Sequence, residues 1–218
     1  MANLFGTLTL LLSFLILVIA LLAAVVSLVS GHARFALRIG QGVLAWIAVY
    51  ALLLVFVSLT SPRQILDQGQ EHCFDEMCFS VQGVRTTCTL GPSETQVTAQ
   101  GVYYIVTLNL RNAARGTAQK PSVTNFWVAG DQGRRYQPLT AGSDTPGQPL
   151  DVSHLWDQKL QPGEHQVHTI AFDLPEKMSN PALFLTEGAG ITALIIGDEN
   201  SPLHPITGFR LNPSPTGQ

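Results

Sequence analysis

Residues 102–112 read VYYIVTLNLRN and hold the clearest structural signal in this chain of 218 residues. Alternate positions of this stretch carry the apolar side chains of Tyr104, Val106, Leu108 and Leu110. Polar Thr107 and Asn109 lie between them. Because successive side chains of a β-strand point to opposite faces of a sheet, this alternation predicts a strand with one buried face and one solvated face.

Short apolar runs of the same kind lie on both sides of this strand, separated by Gly, Pro and Asn residues. The further predicted strands are 79–90, 123–128, 134–137, a run after the turn at 161–164 that contains Ile170, Phe172 and Leu174, and the shorter runs 183–186, 191–196 and 207–211. The link Gly130-Asp131-Gln132-Gly133 is typical of a hairpin. Residues 141–149 are predicted to form a loop. This pattern predicts an antiparallel β-sandwich over residues 75–211, immunoglobulin-like in architecture.

The order of short motifs supports the same fold. VYYIVTLNLRN is followed by Phe126, DQG at 131–133, YQP at 136–138, LQPGE at 160–164 and AFDLP at 171–175. This order resembles a bacterial family of extracytoplasmic immunoglobulin-like modules of unknown function, which occur on lipoproteins and membrane-anchored proteins. The resemblance covers about residues 75–197. It implies the sandwich fold and a location outside the cytoplasm, and it supplies no catalytic residues.

The N-terminal 60 residues differ in composition from the remainder. Of the 27 charged side chains only Arg34 and Arg38 lie before residue 61, and all 13 prolines and all 3 cysteines follow it. Residues 4–30 and 39–60 are uncharged runs, each long enough to cross the hydrocarbon core of a bilayer as a helix. The expected order is two transmembrane helices at about 4–30 and 36–60, a connector at 61–74, the β-sandwich at 75–211 and a disordered tail at 212–218.

The positions of Lys and Arg near the helix ends predict the orientation in the membrane. The link between the helices holds Arg34 and Arg38, and Arg63 is the one such residue in the fifteen that follow the second helix. The link should therefore be cytoplasmic and both termini should be outside. Three cysteines in a small β-rich module also suit an oxidising compartment. We expect a two-pass protein of the bacterial cytoplasmic membrane with its C-terminal domain in the periplasm or the extracellular space.

The two uncharged runs are expected to serve as an anchor. Neither contains Asp, Glu, Lys, Arg or His, so they lack the ionisable groups that a proton relay or an ion pathway normally uses. Gly40, Gly42 and Ala45 in the second run are small enough to let another helix approach closely. We expect these three residues to take part in helix packing, and an integral membrane protein or an extracytoplasmic protein to be the partner.

The three cysteines are expected to form one disulfide. Cys73 and Cys78 bracket a short segment, Phe-Asp-Glu-Met, that a tight turn can close. Cys78 and Cys88 are ten residues apart in an extended run, roughly 33 Å at the rise of a strand, which is beyond disulfide reach unless the chain turns back at Gly83. The expected bridge joins Cys73 and Cys78, and Cys88 is expected to be a buried free thiol.

A soft-metal or redox-handling site is the alternative function for the same segment. His72, Cys73, Met77 and Cys78 offer imidazole, thiolate and thioether ligands within seven residues, a set that suits copper(I). A closed disulfide would remove both thiolates, so the thiol state separates the two interpretations. His165 and His168, three apart in a predicted strand, should lie on opposite faces, one exposed and one packed.

The remaining patterns argue against several functional classes. The sequence contains no Gly-x-Ser-x-Gly, Walker loop, His-Glu-x-x-His or dinucleotide fingerprint. Residues 61–218 carry ten basic and fifteen acidic groups, which makes nucleic acid an unsuitable partner. We therefore expect a non-enzymatic, cofactor-free extracytoplasmic module, anchored in the lipid bilayer, that binds or positions a partner protein as an accessory subunit of a membrane complex.

Overall fold

A computed structural model of the chain describes residues 4–91, 93–94, 96–139, 158–187 and 190–213. The chain forms two compact units. The helical unit comprises Ala2–Pro62 with Ala189–Pro205, and the β unit comprises Arg63–Gly188 with Ile206–Gln218. The loop predicted at 141–149 lies outside the described residues, as does the predicted tail from residue 214 onward.

Two long helices, α1 (Leu4–Val29) and α2 (Ala33–Thr60), occupy the predicted uncharged runs. The chain reverses between them at Gly31, whose φ of +75° is a left-handed conformation that glycine adopts without strain. Both helices are long and apolar enough to cross a membrane. The second begins at Ala33, three residues before its predicted start.

The two helices present apolar side chains on nearly all sides. Only 6% of the most apolar 18-residue window of α1 and 11% of that of α2 are buried. The buried positions are mostly small residues, namely Gly6, Ser13, Ala36, Leu54 and Ser58. Most of the Leu, Val, Ile and Phe side chains of both helices are consequently exposed on the isolated chain.

Residues 190–205 lie in the helical unit and include a short 3₁₀ helix, Ile191–Leu194. The strand predicted at 191–196 is therefore wrong. The Tyr50 hydroxyl donates a hydrogen bond to the Leu194 carbonyl over 2.7 Å, so this run contacts α2 instead of joining a sheet. A short apolar run has the same composition in a strand and in a segment packed on helices, and its periodicity does not separate the two.

The described residues form nine strands in two sheets. Their bounds are β1 Ile65–Leu66, β2 Glu71–Phe74, β3 Met77–Leu90, β4 Val97–Asn112, β5 Val123–Ala129, β6 Arg135–Tyr136, β7 His165–Leu174, β8 Ala182–Glu187 and β9 Gly208–Arg210. The sheets have the orders β1-β9-β8-β5-β6 and β2-β3-β4-β7. Neighbouring strands are antiparallel except β1 and β9. The predicted sandwich of antiparallel sheets is confirmed apart from this one parallel pair.

The predicted connector at 61–74 is wrong from Ile65 onward, because it contains β1 and β2. The two residues of β1 pair with β9 at the far end of the chain, Ile65 opposite Gly208. The four residues of β2 form a hairpin with β3. Two paired residues are too few to show any periodicity, so the sequence gives no local signal for β1.

The core lies between the two sheets. Its largest fully buried side chains include Phe79, Leu108, Leu110 and Phe172 from one sheet and Leu183, Leu185 and Phe209 from the other. The predicted buried face of β4 is confirmed at Val106, Leu108 and Leu110, which are 0% exposed, while Tyr104 is half-buried. The opposite face is not solvated throughout, because Tyr103 and Ile105 are buried as well.

Strand β3 contains two register shifts relative to β4. One lies between Val81 and Gly83 and the other between Thr87 and Thr89. The first shift leaves Gln82 without a cross-strand partner, as in a β-bulge, and the second leaves Cys88 of β3 and residues 99–102 of β4 without partners in this pair. Cys88 is a free, exposed cysteine. Its predicted burial is wrong, since the prediction rested on the usual burial of free cysteines and Cys88 lies instead on an exposed part of β3.

Candidate functional site

The β2–β3 hairpin brings Cys73 directly opposite Cys78. The two residues form a disulfide with a sulfur–sulfur distance of 2.03 Å and Cα atoms 3.9 Å apart. Asp75 in the tight turn has a φ of +50°, which Asp and Asn tolerate better than most residues. The pairing is the one that the sequence predicts. Both sulfurs are oxidised, so neither offers the thiolate that binds copper(I).

The hairpin register also separates the four residues of the metal alternative. Consecutive side chains of a strand alternate between faces, so His72 and Met77 lie on one face of the hairpin and the two cysteines on the other. The His72 ring meets the Phe74 ring edge-on, with 4.8 Å between the ring centroids. The structure therefore does not bring the imidazole and the thioether to the sulfurs of Cys73 and Cys78, and the metal alternative gains no support.

Glu71 lies near the disulfide and is held by an arginine of β4. Arg111 donates from Nε to one carboxylate oxygen at 3.0 Å and from a terminal nitrogen to the other at 2.5 Å. The hydrogen bond from Arg111 is the largest cause of the lowered pKa of Glu71, and the same bond raises the pKa of Arg111. This carboxylate is within 4.8 Å of both cysteine sulfurs but is already paired. We interpret this end of the hairpin as structural.

A groove lies where the turn between β5 and β6 meets the turn between β7 and β8. It consists of two adjoining cavities of about 300 Å³ and about 530 Å³ that share Arg134, Tyr136 and Pro175. The smaller cavity is also lined by Gly130, Asp131, Gln132, Lys177, Met178 and Ser179, and the larger by Gln100, Gly101, Gln137, Leu139 and Asp173. We call it the Arg134 groove.

Hydrogen bonds join the two turns that form one rim of the groove. The Asp131 amide donates to the Ser179 carbonyl at 3.2 Å, and the Asn180 side-chain amide donates to an Asp131 carboxylate oxygen at 2.9 Å. A Cβ on Gly130 would lie 2.7 Å from the Ser179 carbonyl oxygen, so the turns can approach this closely only because residue 130 is glycine. The rim is therefore fixed by contacts between the two turns.

Asp173 fixes the opposite side of the groove. Its carboxylate accepts hydrogen bonds from the backbone amides of Gln100 at 2.8 Å and Gly101 at 3.0 Å. A Cβ on Gly101 would lie 2.2 Å from the Leu174 carbonyl oxygen, so this approach also depends on glycine. Asp173 thus joins β4 to the end of β7, and its charge is satisfied by backbone donors.

Among the described residues, two cations and two carboxylates line the groove, and only the carboxylates are hydrogen-bonded within the fold. The Arg134 guanidinium lies over the Tyr136 ring, 5.4 Å from its centroid, and Lys177 is exposed at the rim. In the part of the chain that the structure describes, neither cation has an acidic partner, whereas Asp131 and Asp173 are hydrogen-bonded within the fold. A carboxylate entering the groove would find two available cations beside an aromatic ring.

The neighbouring Arg135 has a different role. Its guanidinium lies 4.4 Å from the centroid of the Trp127 ring, and Trp127 stacks on Phe184 with ring centroids 6.0 Å apart. These rings belong to a small apolar cluster separate from the main core. Adjacent residues of a strand face opposite ways, so Arg135 covers this cluster while Arg134 lines the groove.

The sequence predicted the β5–β6 hairpin but did not indicate the groove. Arg134-Arg135 is the chain's one pair of adjacent basic residues, which is the single local signal that could have drawn attention to it. The lining comes from three segments, near residues 100, 130–139 and 173–179, that only the folded sheets bring together.

The predicted helix-packing residues are open on the surface of the helical unit. A Cβ on Gly40 or Gly42 would meet nothing within 4 Å, and Ala45 is exposed. Gly42 and Ala45 are three residues apart and share a face of α2. Gly40 precedes Gly42 by two residues and therefore lies on a different face, so the three positions form two small-residue surfaces.

Comparison with known protein families finds a match for most of the β unit. A family model described as "Domain of unknown function (DUF4352)" matches residues 67–193, which is more than half of the chain. No curated protein matches the chain at a significant level.

Several solved structures are similar to the chain at low sequence identity. MPT63, a secreted protein from Mycobacterium tuberculosis, is 14% identical, with 71% of this chain and 100% of that chain covered and a TM-score of 0.43. An uncharacterized β-sandwich protein from Clostridium difficile 630 is 14% identical, with 70% and 98% covered and a TM-score of 0.41. The yjhA protein from Bacillus subtilis is 12% identical, with 68% and 100% covered and a TM-score of 0.42.

Proposed function

The chain belongs to the DUF4352 family of domains of unknown function, and from that premise we propose that it is a non-enzymatic, membrane-anchored extracytoplasmic module that binds a partner protein. The helical unit is the anchor, and the β unit, an immunoglobulin-like sandwich in this proposal, carries the binding surface. The described residues that line the groove include Ser179 but no histidine that could activate its hydroxyl, which supports binding in preference to catalysis.

The apolar surface of α1 and α2 supports the membrane anchor. Side chains such as Leu11, Phe14 and Leu44 are 59%, 66% and 69% exposed. An apolar surface of this extent is unfavourable in water, and acyl chains would remove the cost. Arg34 and Arg38 near the start of α2 support a cytoplasmic location for that end of the hairpin, by the positive-inside rule. The β unit would then be outside, where the Cys73–Cys78 disulfide persists.

The observation that carries the binding proposal is the pair of available cations in the Arg134 groove. Arg134 and Lys177 lack acidic partners among the described residues, although the soluble part of the chain has a net charge of −5. Tyr136 adds an aromatic surface beside them. These groups suit an acidic, partly apolar segment of a protein, whose carboxylates would pair with the cations.

A lateral contact in the membrane is the second part of the proposed interaction. Gly42 and Ala45 lie on one exposed face of α2, where small side chains allow another helix to approach closely. The module would then be an accessory subunit, held beside an integral membrane protein by its hairpin and contacting an extracytoplasmic segment through its groove.

Charge reversal in the groove tests the proposal. The full-length tagged chain is purified from membranes in mild detergent, and co-eluting proteins are identified and quantified. We expect Arg134→Glu/Lys177→Glu to lower the yield of the partner about tenfold or more, because two surface ion pairs of up to about 1 kcal/mol each become repulsive.

The matched control is Arg85→Glu/Arg115→Glu, which makes the same change in net charge at two exposed residues outside the groove lining. This control should retain the partner at the wild-type yield. Retention by the groove variant as well would show that the Arg134 groove is not the binding site. Absence of any specific co-eluting protein with the wild-type chain would contradict partner binding itself.

A further inference from the structure

We propose that residues 190–196 form a third membrane-contacting segment, whose apolar side chains lie among the acyl chains of the outer leaflet beside α1 and α2. The inference rests on the proposed anchoring of the two helices in a bilayer. Ile191 and Leu194 are 75% and 52% exposed, although both are large and apolar. They belong to the same compact unit as the helices, so the lipid around the helices is the nearest apolar environment available to them.

A hydrogen bond to α2 sets the depth of the segment. The Tyr50 hydroxyl donates to the Leu194 carbonyl over 2.7 Å. Tyr50 lies ten residues before the end of α2 at Thr60, about 15 Å along the helix axis at 1.5 Å per residue. It therefore lies within the uncharged run 39–60, and the carbonyl that it contacts lies alongside the span instead of beyond its end.

A close approach to α1 provides a second, independent contact. A Cβ on Gly6 would lie 2.3 Å from the Ile196 carbonyl oxygen and 2.8 Å from a side-chain carbon of Ile195, so the segment can pack here only against glycine. Gly6 lies in the first turn of α1, at the end of the hairpin where α2 finishes. Under the proposed orientation, this end is in the outer leaflet.

Several carbonyls of the segment are hydrogen-bonded within the chain, which lowers the cost of placing them in hydrocarbon. The Gly190 carbonyl accepts from the Ala193 amide at 3.1 Å, and the Thr192 carbonyl accepts from the Ile195 amide at 2.9 Å. The Ile195 carbonyl accepts from the Ser201 hydroxyl at 2.6 Å. With the bond from the Tyr50 hydroxyl to Leu194, these four carbonyls have donors from the chain itself.

The length and charge pattern indicate insertion without crossing. The ten residues 188–197 between Glu187 and Asp198 are uncharged, and about 20 would be needed to span the hydrocarbon core. The segment must therefore enter and leave on the same side. Asp198, Glu199 and Asn200 follow it directly and would remain at the headgroup level.

Depth-dependent fluorescence quenching tests the assignment. Single cysteines at Ile191, Leu52 and Gln82 are made in full-length Cys88→Ser chains that keep the disulfide, labelled with an environment-sensitive nitrobenzoxadiazole dye and reconstituted in phosphatidylcholine vesicles. Leu52 is 70% exposed on α2, and Gln82 is exposed on β3. We expect doxyl-labelled lipid to quench the Ile191→Cys and Leu52→Cys labels to a similar degree, and aqueous iodide to quench only the Gln82→Cys label.

The other outcomes overturn the inference in distinguishable ways. An Ile191→Cys label that iodide quenches, with a lipid-quenched Leu52→Cys label, would place the segment in water and leave the anchor intact. An Ile191→Cys label shielded from both quenchers would show that a protein surface, either a second copy or a partner, covers the segment. A Leu52→Cys label that lipid does not quench would overturn the proposed anchor, and the inference with it.

Discussion

Cys73, Cys78 and Cys88 have different chemical states, which alkylation distinguishes. We expect iodoacetamide to modify Cys88 on the folded, unreduced chain, because its thiol is free and exposed. The reagent should not modify Cys73 and Cys78, which form the disulfide. Peptide mapping without reduction should recover these two cysteines as a linked pair. Alkylation of all three cysteines in unreduced protein would contradict the bridge.

Removing the disulfide should have only a moderate effect on stability. We expect Cys73→Ser/Cys78→Ser to lower the free energy of unfolding by about 2 kcal/mol, at the low end for disulfides, because a bridge between residues five apart restricts the unfolded chain little. Denaturant unfolding of the detergent-solubilised chain, followed by tryptophan fluorescence, measures the change. Cys88→Ser is the control and should stay within about 0.5 kcal/mol of the wild type.

His168 should make stability depend on pH. It is 8% exposed on β7, its Nε2 atom has no hydrogen-bond partner among the described residues, and burial lowers the pKa of His168 below its ordinary value of 6.5. In the unfolded chain His168 takes up a proton at the ordinary pKa, whereas in the folded chain it takes up the proton only at a lower pH. The stabilising contribution is therefore fully present above pH 6.5 and is lost as the pH falls through the lower folded pKa.

The measurement is the free energy of unfolding as a function of pH for matched histidine variants. Below pH 6.5 the wild-type chain should lose stability more steeply than His168→Gln, which cannot take up this proton. His165→Gln removes an exposed histidine of the same strand and should keep the wild-type slope. Equal slopes for the wild type and His168→Gln would show that burial does not affect the titration of His168.

Residue-scale features were predictable where they depend on nearby sequence. The pairing of Cys73 with Cys78 needs only a tight turn, and the alternation in β7 predicted one packed and one exposed histidine, which the structure confirms for His168 and His165. The predicted burial of Cys88 is wrong because it rested on a general tendency of free cysteines, whereas Cys88 lies at a register shift between β3 and β4. No residue next to Cys88 marks the bulge, so its position appears only once the strands are paired.

At the scale of the helix, the open face of α2 that carries Gly42 and Ala45 is the proposed contact with a membrane partner, and larger side chains there test it. We expect Gly42→Leu/Ala45→Leu to lower co-purification of a membrane partner several-fold, because larger side chains would keep the partner helix at a distance. Packing against α1 should not change, since a Cβ on Gly42 meets nothing within 4 Å. The β unit should therefore stay folded, with an unchanged thermal unfolding curve.

The control for this experiment is Ala51→Leu. Ala51 is exposed on α2 and lies nine residues after Gly42, about 180° around the helix. The Ala51→Leu variant should therefore retain the partner. The Gly40→Leu variant tests the other small-residue face in the same way. Equal loss of the partner in all three variants would indicate a general disturbance of the hairpin, and no loss in any of them would show that the helices only tether the β unit.

Elements with strong local patterns were predicted, and elements defined by distant pairing were not. The alternation in residues 102–112 and the glycine-containing link of the β5–β6 hairpin predicted strands that the structure contains. Strand β1 was missed because its partner, β9, lies about 140 residues away and each contributes only a few residues. The run 191–196 has the composition of a strand, and nothing local shows that it contacts a helix instead of joining a sheet.

At the scale of the whole molecule, the division into an apolar and a polar part was predictable, and the candidate site was not. Composition changes abruptly near residue 61, and the structure divides into compact units near the same position. The Arg134 groove depends instead on turns from three separate segments, held together by Asp131, Asp173 and two close glycine contacts. Contacts of this kind arise from the paired sheets and leave no pattern in the linear sequence.

The proposed topology places Cys88 and the α1–α2 link on opposite sides of the membrane, and a membrane-impermeant maleimide can test this directly. Cys88 is the free, exposed thiol of the native chain, so it should be labelled on intact spheroplasts of cells that express it. In a Cys88→Ser background, His32→Cys puts one thiol at an exposed position in the link and should be labelled only after lysis. Labelling of His32→Cys on intact cells, with Cys88 protected, would show the opposite orientation. The β unit would then be in the cytoplasm, where a disulfide is not expected to persist. Recovery of a shortened chain without the His32→Cys label would instead show that the first helix is cleaved, so that the hairpin is no anchor.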